Sequence, residues 1–480
     1  MDRKKVFLIA LSLILIAGFL LRFFPLRGGY HYWDETVYLQ HGEIIAGESP
    51  DNYNEFDFRP PLFSLILGAI FTINSSLLAA HLTVAVLSSL TIILIYIIGQ
   101  ELYTRKTGLL AALIYAFSPL AIFLAHDILV DPILPLFWLS TALLLVKSLG
   151  TDERKYYYFT GLMAALSVLM KFTSLVIIPA IASTVLIYRF KQKELDLNEL
   201  IGETKDFALM KTNWLMAAGF FTGILPYLVW SCIEFGSALH VFTTALTKSG
   251  ARDLFMTYLD GWKSYILVPF YVGLPLFFWK ADFQKLKNYL PIVFFLALFV
   301  PLQFFLPNKE TRFLMPALPF LVLMTSKGLR KLRDGEVFNN WKLSRALFVF
   351  LIVVSVILVP TEISERNVFV QGSSIDWEAP VMDTGLWLRN NTDQDSIVYT
   401  NYQYPALGYY SKRDIIWIRE YKPLNELVGQ DIEKAGYLYF SKKSSYPHPT
   451  LDELNNDPRF RLNKTFDNTT YIFYFKGIQQ

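Results

Sequence analysis

RKKVFLIALSLILIAGFLLRFFPL, residues 3–26, opens with three cations and then carries no charge until Arg22. About 20 mostly apolar residues suffice to cross a bilayer as a helix, so 6–26 reads as a span. Basic residues flank cytoplasmic ends, which places Arg3, Lys4, Lys5 and the N-terminus inside the cell. The stretch also fits a secretory leader, but Arg22, Phe23, Phe24 and Pro25 follow where small residues would mark cleavage. The rest of the chain agrees with a membrane setting. Of 480 residues, 53% are hydrophobic, 16% aromatic and only 18% charged. A soluble domain carries about 25% charge. Forty Phe and 27 Tyr exclude disorder. The single cysteine, Cys232, excludes a disulfide scaffold and thiolate zinc sites. A net charge of +3 gives no electrostatic footprint for nucleic acid.

Working outward from the first span, eleven apolar stretches are expected to cross: 6–26, 79–99, 108–124, 132–147, 157–171, 174–189, 214–234, 264–279, 289–306, 313–326 and 344–360. Leu62 to Ile73 is half that length and reads as a re-entrant or interfacial helix. Alternation from the first span puts Arg105/Lys106, Arg154/Lys155, Arg189/Lys191/Lys193, Lys280/Lys285/Lys287 and Lys327/Arg330/Lys331/Arg333 inside. Eleven spans leave the C-terminus outside. The expected division is a transmembrane region over 1–360, with a first outer loop at 27–78, and a soluble extracytoplasmic region over 361–480. In the latter, Ser396–Thr400, Ile415–Ile418, Tyr437–Phe440 and Thr470–Phe475 alternate like strands, and Asp383–Arg389 reads as helix. This predicts a small mixed α/β domain.

The outer loops collect acids. Asp34, Glu35, Glu43, Glu48, Asp51, Glu55 and Asp57 lie between the first two spans, against Arg27 and Arg59. Orientation alone explains that ratio; it does not explain the local order. HYWDE (His31–Glu35) sets two carboxylates among aromatics just past a span. RPPL (Arg59–Leu62) sets a cation before a Pro-Pro that fixes the backbone where the half-span begins. HDILVD (His126–Asp131) spaces Asp127 and Asp131 at i and i+4, one face if helical. Asp131 before Pro132 equally reads as a helix N-cap with proline at N1. Lys171 ends an apolar span in VLMKFT, where snorkelling to the interface is the plain alternative to a functional role. PNKETRFLMPALPF (Pro307–Phe320) packs Lys309, Glu310 and Arg312 into one short outer loop.

Carboxylates and cations at one membrane rim suit transfer of a sugar from a lipid-linked phosphate. A phosphate leaving group needs fixed cations to hold its developing charge. An acceptor hydroxyl needs one carboxylate as general base. The sugar carbon passes through an oxocarbenium-like state.

These motifs together resemble the GT-C fold integral-membrane glycosyltransferases, close to the dolichyl-phosphate-mannose protein mannosyltransferases and the bacterial aminoarabinose transferases of lipid A. The resemblance covers roughly 1–360. It rests on Asp34-Glu35, RPPL at 59–62, SPLAIFLAHDILVDP (Ser118–Pro132), LMKFT around Lys171 and NKETRF (Asn308–Phe313). The last run also resembles the HKEERF run of lipid-linked α-mannosyltransferases, with Asn308 in place of the family histidine. The resemblance implies that Asp34 is the catalytic base and Glu35 its neighbour. It implies that Arg59, Lys171 and Arg312, with Lys309 beside them, face the donor phosphate. It also implies that His126, Asp127, Asp131 and Glu310 form second-loop and rim parts of the substrate site. The implied donor is a polyprenyl or dolichyl monophosphate sugar, mannose-like, the acceptor a glycan, protein or lipid, and the transfer inverting, on the outer face of a cell membrane. No organic cofactor is implied. A divalent metal on carboxylates such as Asp34 and Asp127 belongs to an alternative, an oligosaccharyltransferase-type enzyme. A multi-pass transporter is the second alternative. It predicts charges near span midpoints and repeat symmetry, whereas here the charges gather at the rims.

Overall fold

The computed structural model describes residues 3–24, 33–48, 56, 59–151, 153–193, 210–248, 268–283, 285–304, 311–338, 340–400, 402–418, 423–442 and 449–478. By backbone proximity the chain divides into two compact units. The first comprises Met1–Arg27, Phe56–Phe63 and Leu77–Ser364; the second comprises Gly28–Glu55, Ser64–Ser76 and Glu365–Gln480.

The first unit is helical. Among the described residues, five helices are long and apolar enough to cross a bilayer: Lys5–Phe23, Leu77–Leu102, Leu134–Thr151, Phe172–Arg189 and Lys211–Phe235. Arg105–Ala116 and Pro119–Ala125 make a sixth if the pair, bent by 54°, is one span. The bend falls where Ser118 turns extended and Pro119 takes the first helical position, so the ladder of hydrogen bonds cannot run through. The remaining expected spans also fall on helices: Arg154–Met170, Val268–Phe278, Leu286–Phe304, Leu318–Arg333 and Trp341–Asn391. Most of these are shorter, or interrupted by Pro275, Pro291 and Pro301. A multi-pass helical membrane protein follows; of the eleven expected spans, five or six are long and apolar enough to cross among the described residues. Large apolar side chains left facing outward on these helices, such as Leu13, Phe221, Ile233 and Phe350, mark lipid-facing surface.

Two glycines set one very close helix crossing. A Cβ at Gly161 would lie 1.8 Å from the Met216 carbonyl oxygen, and one at Gly219 would lie 1.9 Å from that of Tyr158. Helices Arg154–Met170 and Lys211–Phe235 therefore meet backbone to backbone, a contact that only glycine permits. That contact fixes the helix ending at Lys171 against the helix carrying Tyr227.

The second unit holds a five-stranded sheet of β1 (Ile397–Thr400), β2 (Asp414–Trp417), β3 (Gly436–Ser441), β4 (Phe460–Thr465) and β5 (Thr470–Phe475), in the order β2-β1-β3-β5-β4. β1 pairs parallel with β2 (Val398 beside Ile415) and with β3 (Val398 beside Tyr437). β5 pairs antiparallel with β3 (Leu438 opposite Phe473) and with β4. Parallel neighbours require crossovers, and helices Tyr404–Ser411 and Leu424–Gln430 supply them. Both faces are covered. One buries Tyr399, Leu438, Phe440, Phe473 and Phe475 under Leu424, Leu427 and Leu454. The other buries Val398, Tyr439 and Ile472 under Val381, Leu388, Leu407 and Tyr410. Four strands match the alternation seen in the sequence. β4 does not, because it is a charged, mostly exposed edge strand with an irregularity between Leu462 and Lys464 that breaks the period of two. The expected helix at 383–389 is the end of Trp341–Asn391. The helix Trp33–Ala46 belongs to this unit as well.

Candidate active site

Four of the sequence-predicted residues gather in the helical unit. Lys171 ends helix Arg154–Met170 in an extended conformation (φ −156°, ψ 124°), and a short 3-10 helix, Phe172–Val176, follows at once. The break swings its side chain inward rather than along the span. Its Nζ donates to Asp131 Oδ1 at 2.6 Å. Only 2% of the Asp131 side chain and 17% of that of Lys171 are exposed. The ammonium also sits 4.1 Å from the centre of the Phe313 ring, and the Arg312 guanidinium carbon lies 5.6 Å from the same ring. One aromatic ring thus neighbours two cations, each contact worth about 0.5–2 kcal/mol when partly desolvated. The snorkelling alternative for Lys171 is replaced by a buried pair. The N-cap alternative for Asp131 fails as well, since the next helix begins at Leu134.

Arg59 joins this neighbourhood through its backbone. Tyr227 Oη donates to the Arg59 carbonyl at 3.4 Å. Tyr227 stacks on Trp230 and touches Phe172, the residue after Lys171, at 6.3 Å between ring centres. Phe172 in turn lies 4.3 Å from Phe242. An apolar and aromatic wall, including Leu62 and Ile224, therefore runs between Arg59 and Lys171. The Pro-Pro after Arg59 leads directly into helix Leu62–Phe71, as its rigidity predicts.

The second acidic motif takes a different form from the helical face that its spacing suggested. Helix Pro119–Ala125 ends at His126, and Asp127 to Val130 run as bends, so Asp127 and Asp131 do not share a helix. The proline-started helix is too short to reach them. His126 Nε2 lies 2.9 Å from the Leu21 carbonyl at the end of the first span, and Asp127 is half-buried. Lys309 and Glu310 lie outside the described residues.

Asp34 and Glu35 belong to the second unit, in the first turn of helix Trp33–Ala46. The free amides of a helix N-terminus favour negative charge there. Asp34 is half-buried and Glu35 fully buried. Thr36 Oγ1 closes the turn by donating to the Trp33 carbonyl at 2.9 Å. Asp34 and Asp127, the two carboxylates with a candidate metal role, fall in different units. Among the described residues no group of three or more His, Cys, Asp or Glu side chains is arranged to hold a metal ion.

Several contributors escaped the sequence reading. Arg22 is buried at the end of the first span. It donates to the carbonyls of Gly18 (2.9 Å), Ala116 (3.0 Å) and Tyr115 (3.1 Å), so it caps the bent pair of helices. His41 Nδ1 lies 3.1 Å from Ser64 Oγ, both buried. Glu43 pairs with Lys412, 369 residues away. An arginine closing an apolar span was a readable signal; the Glu43 partnership had none.

The chain is similar to known proteins. Residues 58–201 match the family model described as dolichyl-phosphate-mannose-protein mannosyltransferase, and 256–370 match that of the Alg9-like mannosyltransferase family. Across its full length the chain also superposes on the full length of ArnT from Cupriavidus metallidurans, bound to undecaprenyl phosphate, with a TM-score of 0.66 at 12% identity. The fold is that of the GT-C membrane glycosyltransferases. Two further structures share it. The oligosaccharyltransferase AglB from Archaeoglobus fulgidus, in complex with an inhibitory peptide and a dolichol-phosphate, gives a TM-score of 0.58 at 14% identity. That match covers 87% of this chain, which spans 65% of AglB. The arabinofuranosyltransferase AftD from Mycobacteria gives 0.59 at 12% identity, over 100% of this chain and 40% of AftD. A sequence search of curated proteins finds no match. Mannosyltransferase models and a GT-C fold together indicate a glycosyltransferase. The first family stretch contains Arg59, His126, Asp127, Asp131 and Lys171, and the second contains Lys309, Glu310 and Arg312. Asp34 and Glu35 lie in neither.

Proposed function

We propose that the protein transfers a mannose-like sugar from a polyprenyl or dolichyl monophosphate to a hydroxyl acceptor on the outer face of a cell membrane, with inversion at the anomeric carbon. The observation that carries this reading is the cluster of Lys171, Asp131, Phe313 and Arg312, with Arg59 tied to its aromatic wall. A lipid-phosphate donor leaves as a phosphomonoester, and such a cluster supplies what that step needs. Two cations are held by a carboxylate and an aromatic ring, so little reorganisation is required as negative charge develops. That the donor is a polyprenyl phosphate is supported by the ArnT and AglB structures, each of which holds such a lipid.

In this mechanism Asp34 accepts the proton of the acceptor hydroxyl as its oxygen attacks C1. The C1–O bond to phosphate breaks on the opposite side, and the electron pair leaves with the phosphate oxygen. Arg59, Lys171 and Arg312 bind that phosphate, with Lys309 alongside. Asp131 holds Lys171 in place. Glu35 shapes the base, and His126, Asp127 and Glu310 line the substrate region. The N-terminus is cytoplasmic; the soluble 361–480 region is extracytoplasmic and helps choose the acceptor.

The test is transfer from purified polyprenyl-phosphate mannose by the wild type and by Asp34→Asn, with the product's anomeric configuration read by NMR. The wild type should yield the inverted product, and the variant should fold but lose transfer. Full activity in Asp34→Asn removes this mechanism. A rate abolished by chelator and restored by a divalent ion would favour the metal-dependent alternative.

A further inference from the structure

Helix Trp33–Ala46 is gripped along one side by a short segment of the sheet unit. The Trp33 ring meets Tyr404 edge-on at 4.9 Å, and Tyr404 stacks on Trp417 at 4.6 Å with planes 17° apart. Two turns further on, Gln40 Nε2 donates to the Pro405 carbonyl at 2.6 Å. One turn beyond that, Lys412 Nζ donates to both Glu43 carboxylate oxygens, 2.6 Å from Oε1. Positions 33, 40 and 43 share one helix face, so the three contacts form a single line. At Gly408 a Cβ would come within 3.2 Å of Gln40 Oε1, which shows how closely the two helices approach.

The gripping segment is costly to build. Gln403 and Lys412, at either end of helix Tyr404–Ser411, both adopt left-handed backbone (φ 50° and 52°) without being glycine. Such residues persist where the surroundings over-determine them, and they collect at functional positions. The ion pair is costly too. Burial pushes the Glu43 carboxyl up and the Lys412 amine down, and each partner's charge opposes that push. Well-packed apolar residues often serve stability as well or better than a buried pair, whose best-attested role is to fix register.

We infer that Gln40, Glu43 and Lys412 are positioning residues: the Gln403–Lys412 segment sets the rotation and axial register of helix Trp33–Ala46 and so aims the Asp34 carboxylate. This rests on Asp34 being the base. None of the three needs to touch substrate. They act through a helix whose first turn carries the reacting group, and a displacement of about 1 Å there can cost 100-fold in rate.

The experiment compares Lys412→Met, Glu43→Gln, the charge-swapped double variant Glu43→Lys/Lys412→Glu, and Gln40→Met, all in the full-length protein. The expected result is a kcat lower by about 10- to 100-fold in Lys412→Met and Glu43→Gln, with KM for the donor unchanged. Amide exchange should quicken over 33–46 but not in β3 or β5. The swap should restore most of kcat. Gln40→Met leaves both charges paired and should lower kcat by a smaller factor, which keeps the question decidable if a charge variant fails to fold. The inference is overturned if kcat per folded molecule stays at the wild-type value while melting temperature falls. It is equally overturned if kcat and KM change together with no recovery in the swap. Full activity in Asp34→Asn would instead overturn the base assignment, and the exchange data would still report whether the segment holds the helix.

Discussion

The helical unit and the sheet unit each bury a lysine–carboxylate pair, and they do so against opposite backgrounds. In the helical unit ionisable groups are sparser, and Lys171 finds Asp131 only 40 residues upstream, beside the Phe313 ring. In the sheet unit charges are common, and Lys412 reaches back 369 residues to Glu43. The first pair sits at a junction where a span gives way to a 3-10 turn. The second joins a strained crossover helix to the helix of Asp34. An isolated charge among apolar residues advertises itself, whereas a charge among many is given meaning only by the partner that folding brings to it.

Substitutions can break this comparison at either end. The largest effect belongs to the proposed chemistry: Asp34→Asn should reduce kcat by about 10²- to 10⁴-fold, the range for loss of a general base, with melting temperature unchanged. Next is Asp131→Asn, which strands a buried ammonium and should cost about 3 kcal/mol of stability in a detergent unfolding series. Its donor affinity should fall as well, because Lys171 loses its anchor. The same measurement on Lys412→Met sharpens the contrast, for there the main loss should be in rate. A fourth substitution tests the scaffold. Gly161→Leu drives a side chain into the Met216 carbonyl, and overpacking of this kind typically costs about 1–3 kcal/mol, read as a lower unfolding midpoint.

The smallest effect lies at the sheet edge. The Arg459 guanidinium holds the Asp457 carboxyl below the usual carboxylate range. A folded-state value below the unfolded one contributes stability above the unfolded pKa, and that contribution is lost as pH falls through the folded value. The pair is partly exposed, so the gain is under about 1 kcal/mol. Asp457→Asn should therefore lower the midpoint slightly at neutral pH, and the difference should vanish as pH falls through the depressed Asp457 value, as followed by thermal melts across pH.

Legibility in the sequence followed the same divide. The first span, the half-span after Pro-Pro and the strands at 397–400, 414–417, 436–441 and 470–475 were readable because period and punctuation are local. Helix Trp33–Ala46 was not, since its residues look like an acidic loop and its burial comes from helix Leu62–Phe71 and from the distant Tyr404–Ser411 helix. Lys171 and Arg312 could be singled out as charges at apolar boundaries, but their shared ring at Phe313 required the fold. Arg22 was visible only as the charge that ends the first apolar run; its three carbonyl acceptors lie on its own helix and on one that ends about 90 residues later.

Everything proposed for the reaction depends on a lipid phosphate settling among the cations of the helical unit. Titration of polyprenyl monophosphate into the purified wild type and into Arg59→Ala, Lys171→Met and Arg312→Ala measures that directly. Each charge-assisted bond lost should weaken Kd by roughly 10- to 100-fold, from about 1.5–3 kcal/mol apiece. An unchanged Kd in all three variants would contradict the account.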